Sequence, residues 1–590
     1  MREAHAAKTT SRPVRRIRIW YGLLLCCVAL FVIRLFYLQV IRHDYYQSAA
    51  LRGQLKEYEI PPERGIIEAQ NGESTVPIVL NETRYTLYAD PVYVKDANGA
   101  ADKLVQAIGG DADQYKKLLA TPETRYVVLA QKLDKQQSEK IEQLKLKGIG
   151  TRGVPYRTYP QGAMAAQLLG FVNNEGQGKY GLEQALDKDL QGVPGQLKAI
   201  TDAAGVPLAA NRDNVNIAPQ QGKRVVLTID IAMQHQLEEI LKAGVKQARS
   251  KAGSALIIDP KTGAIKAMAN YPSYNPADFQ KVEDGSLFNN AAVSEPLEVG
   301  SIMKPLTAAA ALDQGAVQEN SSFYDPRRFT IDGETVSNVE EDGGGGTRAV
   351  KDILQLSLNT GATWLLMQMG GGELNSQARS RWHDYMTGHY QLGKPTGVEQ
   401  GFEAGGYIPD PNEGYAINFT YANTSFGQGM TATALQMAGA LSGVVNGGTY
   451  YQPRLVASMS DADGKLVAQE PKVTRDKVVS STVSQQVRGM MEHTYRTNRI
   501  GYGSKQDRPE YGIGGKTGTA QQARPEGGYY DNLFNGTYLG FVGGDQAQYV
   551  IAVVVRAPNV PGYAGAKAAA PIFINLSEML INNFGVTPKD

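Results

Sequence analysis

At 590 residues the chain is too long for a single hydrophobic core and predicts two or three domains. Sixty Lys and Arg against 59 Asp and Glu leave a net charge of +1, which excludes the basic footprint of a nucleic-acid binder. The two cysteines, Cys26 and Cys27, sit in the most apolar stretch, and the cysteine-free remainder suits an oxidising compartment.

Arg12, Arg15, Arg16 and Arg18 precede an apolar run from Ile19 to Ile33, which continues past Arg34 to Ile41. At 1.5 Å per residue, residues 19–41 make a helix of about 34 Å, enough to cross a bilayer. Arg34 lies close enough to the far end to snorkel, and Trp20 and Tyr37 fall at the two interfaces. The arginine cluster places residues 1–18 in the cytoplasm and everything after the span outside it. A cleaved signal peptide fits less well: the small-residue site Ser48-Ala49-Ala50 is too far from the apolar core, and Leu25 spoils a lipoprotein site at Cys26. The reading is a retained single-span anchor.

Residues 42–223 are polar and mixed, without a catalytic pattern. Leucines at helical spacing predict helices around Lys103 to Ile108 and Lys132 to Leu146. Gly170 to Gly181 is turn-rich, and Leu182 to Leu186 is a short helical pattern. This stretch reads as a spacer or docking module.

From Arg224 the character changes. Val225 to Ile229 reads as a strand, Ala232 to Ser250 as an amphipathic helix, and Ser254 to Ile258 and Ala264 to Ala269 as strands about an Asp-Pro-Lys-Thr-Gly turn. A helical stretch is expected from Val350 to Met369. The tail holds a strand motif over Gly512 to Gln521, strands at Thr537 to Val542 and Tyr549 to Val555, and a closing helix from about Ala569 to Asn583. Strands at both ends with helices between predict an α+β domain over 224–590, an antiparallel sheet covered by helices. The glycine run Gly343 to Gly346 reads as a linker.

Three short motifs in this region carry chemistry. Ser301 and Lys304 stand three apart at a helix start marked by Gly300 and Pro305, so their functional groups can meet. A lysine kept neutral by burial can take the proton from a serine nucleophile. Ser357 and Asn359 are uncharged donor–acceptors able to relay a proton and bond an amide carbonyl. Lys516, Thr517 and Gly518 offer a positive charge and a hydroxyl for a carboxylate, at a strand edge open to backbone approach. The N–H of Thr519, paired with that of Ser301, would form an oxyanion hole. A lone serine three before a lysine is more often a helix cap beside a solvated charge; the ordered triple carries the inference. Lys261-Thr262-Gly263 and Ser273-Tyr274-Asn275 repeat two of the motifs in turn contexts and are read as turn chemistry. His383 and His389 read as surface or packing residues, no metal-ligand pair is evident, and no Gly-x-Ser-x-Gly elbow exists.

The ordered set Ser301-x-x-Lys304, Ser357-x-Asn359, Lys516-Thr517-Gly518 resembles the penicillin-binding proteins and serine β-lactamases. With the anchor and the module over 42–223, the whole chain resembles the class B penicillin-binding proteins. The likeness extends to Pro62-Glu63-Arg64-Gly65-Ile66-Ile67, Arg157-Thr158-Tyr159-Pro160 and Tyr180-Gly181-Leu182-Glu183 of an elongated pedestal, and to Phe426-Gly427-Gln428-Gly429. The chain departs from the family where Val299 stands for the usual proline, and where Glu68-Ala69-Gln70 replaces an aspartate-arginine pair. The resemblance implies a cytoplasmic-membrane D,D-transpeptidase with its catalytic domain outside, cross-linking peptidoglycan stem peptides of lipid-linked nascent glycan through a serine acyl-enzyme. It implies no cofactor and no metal, covalent inhibition by β-lactams, and a membrane glycosyltransferase of the SEDS family and division proteins as partners. Threonine in the third motif leans towards the division-specific branch. The alternatives are an elongation-specific transpeptidase, a membrane-tethered serine β-lactamase or β-lactam sensor, and a scaffold role added to the enzyme.

Overall fold

The computed structural model describes residues 12–46, 55–122, 124–200, 215–339, 344–524 and 528–590. Most of the expected cytoplasmic tail, the Ser48-Ala49-Ala50 site and Gly343 of the glycine run lie outside the described residues. Contacts divide the chain into two units: residues up to Pro62 with Val193–Gln221, and Glu63–Gly192 with Gly222–Asp590.

The first unit holds the N-terminal helix, Arg12–Phe36, which runs on through a wider turn to Ile41. Its Ile17–Ile41 portion is long and apolar enough to cross a membrane, and Trp20, Phe31 and Ile33 stand exposed along it. Apolar residues on every face suit a lipid surrounding rather than water. The same unit contains a three-stranded antiparallel sheet of Leu55–Ile60, Gly195–Ile200 and Val215–Ile217, with Gly195–Ile200 in the middle.

The second unit contains two large sheets. In the first, Ser74–Ala89 pairs with Ile67–Asn71, Val127–Leu133 and Ile149–Thr158, and three helices, Ala97–Ile108, Ala112–Leu119 and Lys135–Gln143, join it in a core around Leu87, Leu104, Leu119, Leu129 and Ile141. The helix expected from Lys132 begins at Lys135, because Val127–Leu133 is strand and Asp134 closes a capping box with Gln137. Val225–Asp230, expected in the C-terminal sheet, lies here instead. It runs parallel to Ile67–Asn71 and antiparallel to Val456–Ser460. Its Val-Val-Leu-Thr-Ile run is buried throughout, as a central strand covered on both faces must be. The residues replacing the aspartate-arginine pair stitch these strands together: Glu68 accepts from Arg224 at 2.7 Å and from Thr75 at 2.8 Å, and Gln70 donates to the Leu227 carbonyl at 3.0 Å. Nearby, the fully buried Glu183 takes Arg64 on one oxygen and Arg157 on the other, both at 2.7 Å.

The second sheet has five antiparallel strands: β1 (Ala252–Ile258), β2 (Ile265–Tyr271), β3 (Gly512–Ala523), β4 (Tyr529–Gly543) and β5 (Ala547–Arg556), ordered β2-β1-β5-β4-β3. Around it run α1 (Ile231–Gln247), α2 (Lys304–Asp313), α3 (Asn359–Met369), α4 (Ala434–Val445), α5 (Ser481–Asn498) and α6 (Ala570–Asn583). Side chains alternate across a strand. Ala255, Ile257, Val553 and Val555 join a core with Leu237 and Leu241 of α1 and Ile572 and Phe573 of α6. Leu256, Ile258, Val550 and Ala552 join the other core, which holds Leu306 of α2 and Leu435 and Leu441 of α4. Every residue of α4 is buried. The mixed α+β class and the antiparallel helix-covered sheet match the expectation.

Candidate active site

The apolar run that makes α2 a central helix also buries its first residue, Lys304 (0% exposed). A tight turn, Gly300–Met303, leads into it, and Pro305 sits in the first turn, where its missing N–H costs nothing. Gly300 has φ +63°, a left-handed conformation that glycine adopts without strain, and a Cβ there would stand 3.0 Å from the Thr519 carbonyl oxygen of β3. The turn therefore lies directly on β3. It sets Ser301 Oγ 3.0 Å from Lys304 Nζ, as the three-residue spacing predicts.

The helix expected over 350–369 is broken. Val350–Gln355 ends before Ser357, which has φ +60°, and α3 begins at Asn359. The break turns both oxygens of Ser357 onto Lys304: Nζ donates to its carbonyl and lies 3.1 Å from its Oγ. Nζ also donates to Asn359 Oδ1 at 2.9 Å, while Asn359 Nδ2 donates to the Ser337 carbonyl at 3.0 Å. Next to Ser337, Asn338 bonds Thr360 and the fully buried Asp325, so the carbonyl that orients Asn359 is itself held. Sequence reading missed Ser337, Asn338 and Asp325, whose separation from Asn359 leaves no local signal.

The third motif lies on β3, at the free edge of the sheet. Lys516 is 1% exposed, with Nζ 3.1 Å from the Thr517 carbonyl and 3.4 Å from its hydroxyl. A Cβ at Gly518 would collide with Thr537 Oγ1 of β4, which donates to the Val299 carbonyl at 2.9 Å. Thr519 Oγ1 accepts from Gly565 N–H at 3.0 Å, and its backbone runs against Gly300. Ser301, Ser357, Asn359, Lys516, Thr517 and Thr519 line one cleft of about 620 Å³. Lys304 lies buried against its hydroxyl-bearing wall. The arrangement juxtaposes a hydroxyl, an amine, a relay hydroxyl and a cationic strand edge, the set that acyl transfer to and from a serine needs.

Glu298 stands three residues before Ser301. Its Oε1 accepts from Gly429 N–H at 2.9 Å and from the Tyr529 hydroxyl at 2.7 Å, and burial holds its carboxyl above the usual range. The repeated motifs are turn chemistry as expected: Asp259 accepts from Lys261 N–H and the Thr262 hydroxyl, and Asn275 caps the turn after it. His389 stacks on Tyr385 with ring centroids 4.1 Å apart, a packing role.

Comparison with known proteins places these features in one family. Residues 253–578 match the penicillin-binding protein transpeptidase domain and residues 59–227 the penicillin-binding protein dimerisation domain. Over 606 residues the chain is 30% identical to the penicillin-binding protein PbpB of Mycobacterium tuberculosis, covering 97% of this chain and 85% of that one. It is 29% identical over 586 residues to stage V sporulation protein D of Bacillus subtilis (97% and 87%), and 28% over 599 residues to the peptidoglycan D,D-transpeptidase FtsI of Escherichia coli (99% and 96%). Among solved structures, penicillin-binding protein 3 of Mycobacterium tuberculosis complexed with aztreonam is similar with a TM-score of 0.67 and 25% identity, over 90% of this chain and 98% of that one. Penicillin-binding protein 2X of Streptococcus thermophilus shares the fold, with a TM-score of 0.72 at 22% identity over 90% of this chain and 80% of that one.

Proposed function

This chain belongs to the penicillin-binding proteins of class B, and on that premise we propose that it is a peptidoglycan D,D-transpeptidase working through an acyl-enzyme on Ser301. The observation that carries the reading is Lys304 Nζ, 3.0 Å from Ser301 Oγ and bonded at once to Ser357 and Asn359. Ser301 Oγ attacks the carbonyl of the terminal D-alanyl-D-alanine bond as Lys304 takes its proton. The N–H groups of Ser301 and Thr519 receive the charge that develops on the carbonyl oxygen. The C–N bond breaks as the Ser357 hydroxyl gives its proton to the departing D-alanine nitrogen and takes the proton held by Lys304, and an ester on Ser301 remains. An amine of a second stem peptide then attacks the ester, the C–O bond to Ser301 breaks, and the proton lost by the amine passes through Lys304 to Ser301 Oγ. Lys516 and Thr517 hold the terminal carboxylate of the donor, with Gly518 giving its backbone room beside β3.

The finer reading is a septal role in cell division, supported by the threonine of the third motif and by the likeness to FtsI. The N-terminal helix anchors the protein in the cytoplasmic membrane with residues 1–18 inside. Residues 42–223 serve as the pedestal that docks a SEDS-family glycosyltransferase and division proteins, and residues 224–590 carry the transpeptidase. β-Lactams acylate the same serine, a reading supported by the aztreonam complex of a relative. A fluorescent penicillin tests it. The parent protein takes up label on Ser301, and Ser301→Ala takes up none, with a thermal transition within about 1 to 3 °C of the parent because the hydrogen bond lost to Lys304 is worth about 1 kcal/mol. Label that survives the substitution moves the nucleophile elsewhere.

A further inference from the structure

The entrance to the nucleophile's turn carries a carboxyl group that the acyl-transfer scheme leaves unused. Residues 298–300 are held from two directions. Gly300 N–H donates to the Gly427 carbonyl at 2.9 Å, and Thr537 of β4 donates to the Val299 carbonyl at 2.9 Å. Glu298 spans the same two partners with one atom: Oε1 accepts from Gly429 N–H, two residues beyond Gly427, and from the hydroxyl of Tyr529, the first residue of β4. The loop is in close contact with the turn, since a Cβ at Gly427 would collide with the Gly300 carbonyl oxygen. The second carboxyl oxygen, Oε2, is buried and has no hydrogen-bond partner among the described residues. An ionised group would leave half its charge there unanswered by any donor, whereas a protonated one places only a hydroxyl at that spot.

We propose that Glu298 is a positioning residue for acyl transfer: as a neutral acid it fastens the Phe426–Gly429 loop and the start of β4 to the turn that presents Ser301. The proposal rests on Ser301 being the acylated residue. Burial that raises the carboxyl above its usual range acts in the same direction. Glu298 takes no part in bond making; it sets where Ser301 Oγ stands relative to Lys304 and β3.

The test uses the full-length protein and measures fluorescent-penicillin acylation, separating the affinity of the reversible complex from the acylation rate constant. Glu298→Gln keeps a carbonyl acceptor for both donors and acylates within about threefold of the parent, because the two accepted bonds survive. Glu298→Ala slows the rate constant about tenfold or more with penicillin affinity little changed, the signature of a displaced nucleophile. Tyr529→Phe, losing one of the two bonds, falls between them, and adding it to Glu298→Ala slows acylation no further. A Gln variant as slow as the Ala variant overturns the neutral-acid role, and an Ala variant at the parent rate overturns the positioning role. Should Glu298→Ala fail to fold, the pair Glu298→Gln and Tyr529→Phe decides: a parent-like Gln with a slowed Phe supports the proposal, and any other result for either overturns it. A parent protein that takes up no label on Ser301 would instead sink the acyl-enzyme reading itself.

Discussion

Among the described residues Lys304 Nζ has four oxygen neighbours, and their chemistry bears on which protonation states the site can hold. The Ser357 carbonyl and Asn359 Oδ1 accept only, so they take two N–H groups, whichever state the amine is in. The remaining position faces the hydroxyls of Ser301 and Ser357, which donate or accept. A neutral amine can thus receive the Ser301 proton and an ammonium can return it without either state stranding a polar group. Arginine stays protonated under all working conditions, so Lys304→Arg is expected to slow penicillin acylation about a hundredfold or more, the usual scale for losing a general base. Lys516→Arg keeps a positive charge and is expected chiefly to weaken recognition of the substrate carboxylate. Acylation of the two variants measured side by side decides, and a Lys304→Arg protein that acylates nearly as fast as its parent removes the lysine base. The meeting of Ser301 with Lys304 was legible in the chain because a three-residue spacing is a local property of helices. The support for Asn359 was not: it comes from Ser337, 22 residues away, through a backbone carbonyl that any residue type would supply.

Among the elements, the break before α3 and the edge strand β3 do the placing. The helical pattern over 350–369 gave no sign of the break, since a left-handed serine obeys no periodicity and is held by its tertiary contacts. The strand Val225–Asp230 was legible as a strand but not as a member of the pedestal sheet, because an all-apolar run says that both faces are covered without saying by what. At β3, Gly518→Ala would drive a methyl into Thr537 and towards the Val299 carbonyl, so either β3 or the Ser301 turn must yield. Overpacking of this kind costs about 1 to 3 kcal/mol. The variant is expected to melt lower and to acylate more slowly, and unchanged acylation would show that Gly518 is dispensable for the approach. In the pedestal, Glu183→Ala would remove the carboxylate that both Arg64 and Arg157 face, leaving Arg64 with Asp187 and two backbone carbonyls and Arg157 with the Asn81 amide oxygen. Breaking a buried ion pair costs about 3 to 5 kcal/mol, which denaturant unfolding would register as a lowered midpoint.

For the molecule as a whole, the proposed anchor implies on which side of the membrane the chemistry is done. With the arginine cluster inside, a reporter fused after Asp590 is expected to be active only outside the cytoplasm, and activity inside would reverse the orientation. A chain beginning at residue 42 lacks the apolar helix and retains all three motifs. It is expected to remain in solution and to be acylated by penicillin, yet to fail in supporting wall synthesis in cells. Full complementation by the shortened chain would remove the need for an anchored docking partner. The apolar span was legible, because length and hydropathy are additive properties of a continuous segment, and the apolar portion Ile17–Ile41 coincides closely with the expected 19–41, although the helix itself begins at Arg12.

The parallel pairing of Ile67–Asn71 with Val225–Asp230, and the antiparallel pairing of that strand with Val456–Ser460, also set an order of events as the chain is made. A strand made early must wait until its neighbour, some 160 positions later in the chain, has followed it, and that neighbour must wait again for a partner lying beyond residue 450. Until then the outermost strand of the growing sheet stands with one backbone edge open, the condition under which nascent chains pair with the wrong neighbour. The pedestal is therefore completed late although it is made first, and a release of the chain before Val456 would leave it an aggregation-prone fragment rather than a usable half.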